Sequence, residues 1–67
     1  MIRATRLNGK EFYINMNLIE FIESTPDTVI TMTTGKKVVV KEDIEEILER
    51  ISDYKKKILK GAFTSEV

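Results

Sequence analysis

Leu7-Asn8-Gly9-Lys10-Glu11-Phe12-Tyr13-Ile14-Asn15 sets an Asn-Gly pair between two runs of strand-forming residues, the strongest short-range hairpin signal a sequence offers. A type I′ turn needs positive φ at both central residues, which Asn tolerates and Gly adopts freely. Asn8 and Gly9 are therefore read as the loop between a strand near residues 2–7 and another near residues 10–14. Working outward, Asn15-Met16-Asn17 breaks the pattern, and residues 18–23 give a third strand. Thr25-Pro26-Asp27 follows as a turn, in which Pro26 lacks a donor and Asp27 can bond its own backbone. Residues 28–33 and 37–41 read as two more strands, separated by Thr34-Gly35-Lys36. Asn8, Gly9, Pro26, Asp27 and Gly35 are thus turn-forming residues, and connections this short predict an antiparallel meander.

After Lys41 the period changes. Ile44, Ile47, Leu48, Ile51, Tyr54, Ile58 and Leu59 fall at steps of three and four, the stripe of an amphipathic helix. Asp43 followed by Glu46 matches a capping box and places the helix start at residue 43 or 44. Gly61 reads as its stop. Acids in the first half and Lys55, Lys56, Lys57 and Lys60 in the second follow the helix dipole. The predicted class is α+β: about five short antiparallel strands, then one C-terminal amphipathic helix. Residues 1–60 form one domain and residues 61–67 a flexible tail.

Both faces of the strands are apolar. Leu18 and Ile22 have one parity and Ile19 and Phe21 the other, and Val39 opposes Val38 and Val40 in the same way. One helix cannot cover two apolar faces, so either a second subunit covers the sheet or the sheet curls into a small barrel capped by the helix. A homo-oligomer is the preferred reading, because a chain of 67 residues buries little surface and such domains are usually reinforced by disulfides, a metal or a second copy.

Composition narrows the chemistry. The sequence has no Cys and no His, which excludes disulfides, thiolate zinc sites and the commonest nucleophile and base machinery. Eleven basic residues balance eleven acidic ones, without the excess that nonspecific nucleic-acid binders carry. There is no signal-peptide pattern and no apolar run long enough to cross a bilayer, so the expected location is the cytoplasm, without membrane insertion. Glu20, Glu23 and Asp27 gather near one turn but lack the spacing of a calcium loop. Gly9 and Gly35 are isolated and form no phosphate-binding loop. Ser24, Ser52 and Ser65 have no histidine to activate them. No enzyme, cofactor, metal or small-molecule substrate is expected. Arg3, Arg6, Lys10, Lys36, Lys37 and Lys41, with Tyr13 as a stacking surface, are the candidates for an alternative reading as a small RNA-binding translational regulator. Lys on strand edges more simply blocks aggregation.

The order and spacing of Thr5-Arg6-Leu7-Asn8-Gly9-Lys10-Glu11-Phe12-Tyr13-Ile14-Asn15, Leu18-Ile19-Glu20, Ile22-Glu23, Thr25-Pro26-Asp27-Thr28-Val29-Ile30-Thr31 and Thr34-Gly35-Lys36-Lys37, with the helix entered from Val39-Val40-Lys41-Glu42, resemble the bacterial flagellar FlbD family, also called SwrD. The resemblance covers residues 2–60. It implies a small cytoplasmic, non-enzymatic accessory of flagellar motility, supporting motor power by contact with stator or other flagellar proteins, peripheral at the motor. It brings no catalytic residues. Arg6, Tyr13 and Lys37 lie on predicted strands without being needed for the core, and are the candidates for partner contact.

Overall fold

The computed structural model describes the backbone of residues 1–65 and the side chains of residues 1–58. Its elements are β1 (Ile2–Thr5), β2 (Glu11–Ile14), β3 (Ile19–Ser24), β4 (Thr28–Met32), β5 (Lys37–Val40) and α1 (Ile44–Ser65), with a short 3-10 turn at Met16–Leu18. The expected α+β class holds, with all pairings antiparallel.

The first hairpin differs from the type I′ expectation. Thr5 lies opposite Glu11, Arg6 N–H donates to Lys10 O at 2.8 Å, and Gly9 N–H donates to Arg6 O at 2.9 Å. Gly9 has φ of +90°, while no non-glycine residue among those described has positive φ. The loop is therefore three residues, Leu7-Asn8-Gly9: a type I turn closed by a glycine in the left-handed region, the G1-bulge arrangement. Asn8 contributes through its side chain, whose Oδ1 accepts the Lys10 N–H at 3.0 Å. The apolar pattern explains the choice. Residues directly opposite in an antiparallel pair share a face. A two-residue loop would have set Ala4 against Tyr13 and Arg3 against Ile14, mixing core and solvent positions. The observed register sets Ala4 against Phe12 and Ile2 against Ile14.

The second hairpin repeats this solution. Met32 N–H donates to Lys36 O, Gly35 N–H donates to Met32 O, both at 2.8 Å, and Gly35 also has φ of +90°. Space is open around both glycines, so a side chain there is opposed by backbone conformation alone. Gly9→Val is expected to destabilise by about 1–2 kcal/mol, since a β-branched residue resists positive φ. Thermal melting of that variant, with Gly35→Val beside it, should show comparable losses at the two sites.

The meander is interrupted. Asn15 caps the 3-10 turn, its Oδ1 accepting Asn17 N–H at 3.1 Å, and the chain leaves one sheet for another. Strands β1-β2 form a two-stranded sheet and β3-β4-β5 a three-stranded one. The sheets meet instead where β1 ends beside β5: Arg6 bridges Val40, and Lys41 N–H donates to Thr5 O at 2.8 Å. A short link had been expected to make β2 and β3 neighbours, but a helical turn reverses the chain without pairing its flanks. Among the described residues no closed barrel forms.

Between the sheets and α1 lies the core of Ile2, Ala4, Ile14, Ile30, Val38, Val40 and Ile47, flanked by Phe12, Ile22, Ile51 and Tyr54 among others. α1 begins at Ile44 as expected, its first bond running from Ile47 N–H to Asp43 O at 3.1 Å. The expected stop at Gly61 is not observed, as the helix continues to Ser65. A lone glycine raises the cost of a helix by about 1 kcal/mol without ending it. The tail predicted over residues 61–67 falls outside the described side chains. The second apolar face foreseen from the strand parities is real: Phe21, 46% exposed, shares the outward side of the three-stranded sheet with Val29 and Val39, which are half-buried.

Candidate functional site

Three features stand out. The first is a buried charge cluster at the junction of sheets and helix. Glu42, only 8% exposed, accepts Thr5 N–H on Oε1 at 2.9 Å and the Thr5 Oγ1 hydroxyl on Oε2 at 2.8 Å. Arg50 reaches from the second turn of α1, its Nη1 donating to Glu42 Oε2 at 2.8 Å and to the Arg3 carbonyl at 2.7 Å. Nη2 donates to Glu46 at 3.0 Å. Burial works to raise the Glu42 pKa. The Thr5 backbone and hydroxyl, the Glu42 backbone N–H and the Arg50 guanidinium outweigh it and hold the carboxyl below its ordinary value. The cluster does for the β1 edge what a neighbouring strand would do, satisfying backbone groups that β2 does not reach. It also diverts Glu46 to Arg50, away from the reciprocal capping role that Asp43-x-x-Glu46 suggested.

The second feature is a groove along β2, lined by Arg6, Phe12, Tyr13, Ile14, Asn15, Leu18, Met32, Lys36 and Val38. The Arg6 guanidinium stacks 4.2 Å from the Phe12 ring centroid, a cation–π contact that holds the charge at the rim. Two cations and no carboxylate line this groove. The third is a cleft between the first hairpin and α1, lined by Met1, Arg3, Tyr13, Arg50, Asp53, Tyr54 and Lys57 among others.

Of the three residues expected to touch a partner, Arg6 and Tyr13 are brought together in the groove, with Tyr13 67% exposed. Lys37 is exposed on the outward face of β5, opposite Thr31, and Lys36 takes the place expected of it. The wider basic set does not converge: Arg3 is bridged to Glu11 at 3.4 Å, Lys36 faces the groove and Lys37 the opposite side. The turn residues fall where they were expected, Pro26 and Asp27 in the loop between Ser24 and Thr28, where Thr25 N–H donates to Asp27 O at 3.2 Å. Among the described residues no cluster of three acidic groups could hold a cation.

Glu42 and Arg50 escaped the sequence reading. In sequence Glu42 runs into the acids of the first helical turn, yet it precedes the helix. Arg50 carried a usable signal: it is the single arginine of a lysine-rich helix, and a planar guanidinium fork suits a site that must bond several oxygens at once.

Among the described residues, no helix is long and apolar enough to cross a membrane. No curated protein and no solved structure matches the chain. A family model does, described as flagellar and swarming motility proteins and matching residues 1–59. That span takes in both glycine hairpins, the groove and the Glu42–Arg50 cluster, and the chain belongs to the FlbD family, with a role in flagellar and swarming motility.

Proposed function

We propose that this protein is a non-enzymatic accessory that supports flagellar motor power by binding motor or other flagellar proteins at the cytoplasmic side of the motor. The observation that carries the reading is the distribution of apolar groups. Seven residues form the buried core, and among the described residues as many large hydrophobics stay exposed: Met1, Leu7, Tyr13, Leu18, Phe21, Leu48 and Ile58. A domain with so little to bury gains nothing for its own stability from wet Phe, Leu and Ile side chains, whereas a contact surface uses them. Family membership supplies the process, and the exposed apolar surface supports the reading that the protein acts by contact.

The test is a strain lacking the gene, scored for flagella per cell and for single-motor rotation under high load. Normal flagellar number with weak rotation is the expected result. Few flagella would move the protein to assembly, and normal values in both would remove the motility reading of this surface.

A further inference from the structure

The two outer edges of the first hairpin are finished differently. In an antiparallel pair, hydrogen-bonded and non-bonded rows alternate. The bond from Arg6 N–H to Lys10 O makes that row a bonded one, so the Ala4–Phe12 and Ile2–Ile14 rows are bonded too. The backbone groups of Arg3 and Thr5 then point away from β2, and those of Glu11 and Tyr13 away from β1. For β1 the contacts confirm the alternation: Thr5 N–H is taken by Glu42, Thr5 O by Lys41 N–H, and Arg3 O by Arg50. Among the described residues nothing comparable covers β2, which pairs with β1 alone.

The groove described above runs along this bare edge. It is lined by Phe12, Tyr13 and Ile14 in succession; since neighbouring strand residues point to opposite faces, only a groove along the edge touches all three. Its far wall, Leu18, Met32 and Val38, is apolar, and its charges are Arg6 and Lys36. The three-stranded sheet has two edges: β5 is engaged by the end of β1 at Arg6 and Val40, and β3 is protected, its pairing irregular between Ile19 and Phe21 and Glu20 and Glu23 lying along it. Within Glu11–Ile14 β2 has no irregularity and no proline, and its one acid, Glu11, lies on the face opposite Phe12, bridged to Arg3.

We infer that the β2 edge is a strand-addition site for an extended segment of a partner protein whose groove-facing residues, every second one, are apolar with a carboxylate at each end. The incoming backbone bonds the N–H and C=O of Glu11 and Tyr13, while its groove-facing side chains, every second residue, place apolar groups on Phe12, Leu18, Met32 and Val38 and terminal carboxylates on Arg6 and Lys36, which share that face. This rests on the reading that the protein acts by protein contact, not on which motor component it touches.

The experiment uses the purified full chain and a capped heptapeptide with glutamate, valine, valine and glutamate at its alternate positions and threonine between them, with a twin N-methylated at alternate amides. Binding should slow amide exchange at Glu11 and Tyr13 by about tenfold, the scale of one hydrogen bond, and the methylated twin should not bind. Tyr13→Pro removes an N–H that the β1 ladder does not use and should weaken binding about tenfold, whereas Tyr13→Thr keeps that N–H and the affinity. Equal loss in both variants would assign the contact to the tyrosine ring and overturn strand addition. So would equal binding of the methylated twin, absence of binding, or protection at Ile22 and Ser24 on β3. Protection of Tyr13 that grows with protein concentration, without peptide, would make the occupant a second copy and overturn the partner segment. Because the measurement is made in solution, a strain with normal motility would remove the motor role and leave this result standing, and the converse also holds.

Discussion

Glu42→Ala should leave the protein largely unfolded or close to it. The substitution strips Thr5 N–H and Oγ1 of their acceptor and leaves the half-buried Arg50 with Glu46 and the Arg3 carbonyl, without its buried counter-charge. Removing one partner from such a network costs about 2–4 kcal/mol, because the groups left behind have given up water without a replacement. A domain of this length has about 3–10 kcal/mol in all, so the loss is a large part of the total. The pH dependence has a definite sign. Glu42 has its folded pKa lowered below its ordinary value of 4.5, so its contribution is fully present above that value and is lost as pH falls through the folded pKa. The gap in melting temperature between the native chain and Glu42→Gln should therefore be constant at neutral pH and shrink progressively below about pH 4.5. A gap unchanged down to acid pH would show that the carboxylate charge is not what the cluster uses.

Ile47→Ala should be of similar size for a different reason. Ile47 is fully buried against both sheets, so truncation removes transfer free energy and leaves a cavity, together about 2–5 kcal/mol. Leu48, the next residue on the same helix, is 52% exposed, and Leu48→Ala should stay within about 0.5 kcal/mol. Urea unfolding of the pair separates packing from helix propensity, since both substitutions place Ala in the same turn. A similar midpoint for the two variants would remove Ile47 from the centre of the core.

Much of this was legible beforehand. Gly9 and Gly35 marked the hairpins, the period change after Lys41 located α1, and the doubled apolar parity announced an uncovered face. What was missed has a common cause in geometry that only pairing determines. The Asn8-Gly9 pair suggested a two-residue loop by local preference, whereas the face shared by Ala4 and Phe12 requires three; the parity was present in the sequence but competed with a stronger local signal. The break between β2 and β3 came from a 3-10 turn with an Asn15 cap, chemistry that resembles an ordinary loop when read residue by residue. Lys36 and Lys37 are indistinguishable in composition, and strand register alone sends one into the groove and the other to the outward face. Gly61 illustrates the reverse case, a helix-stop signal overridden by good helix formers before it.

The Glu42–Arg50 cluster also bears on the order of folding events. Its bonds join residues 37 and 47 positions apart in the chain, while each hairpin closes over a few residues. Loop-closure entropy is met early and cheaply for the hairpins and late for the cluster. The clasp therefore forms after the barrier, and substitutions at Glu42 accelerate unfolding while leaving the refolding rate nearly unchanged. The lifetime of the native state thus depends on a carboxylate and a guanidinium, and its speed of formation on two glycines.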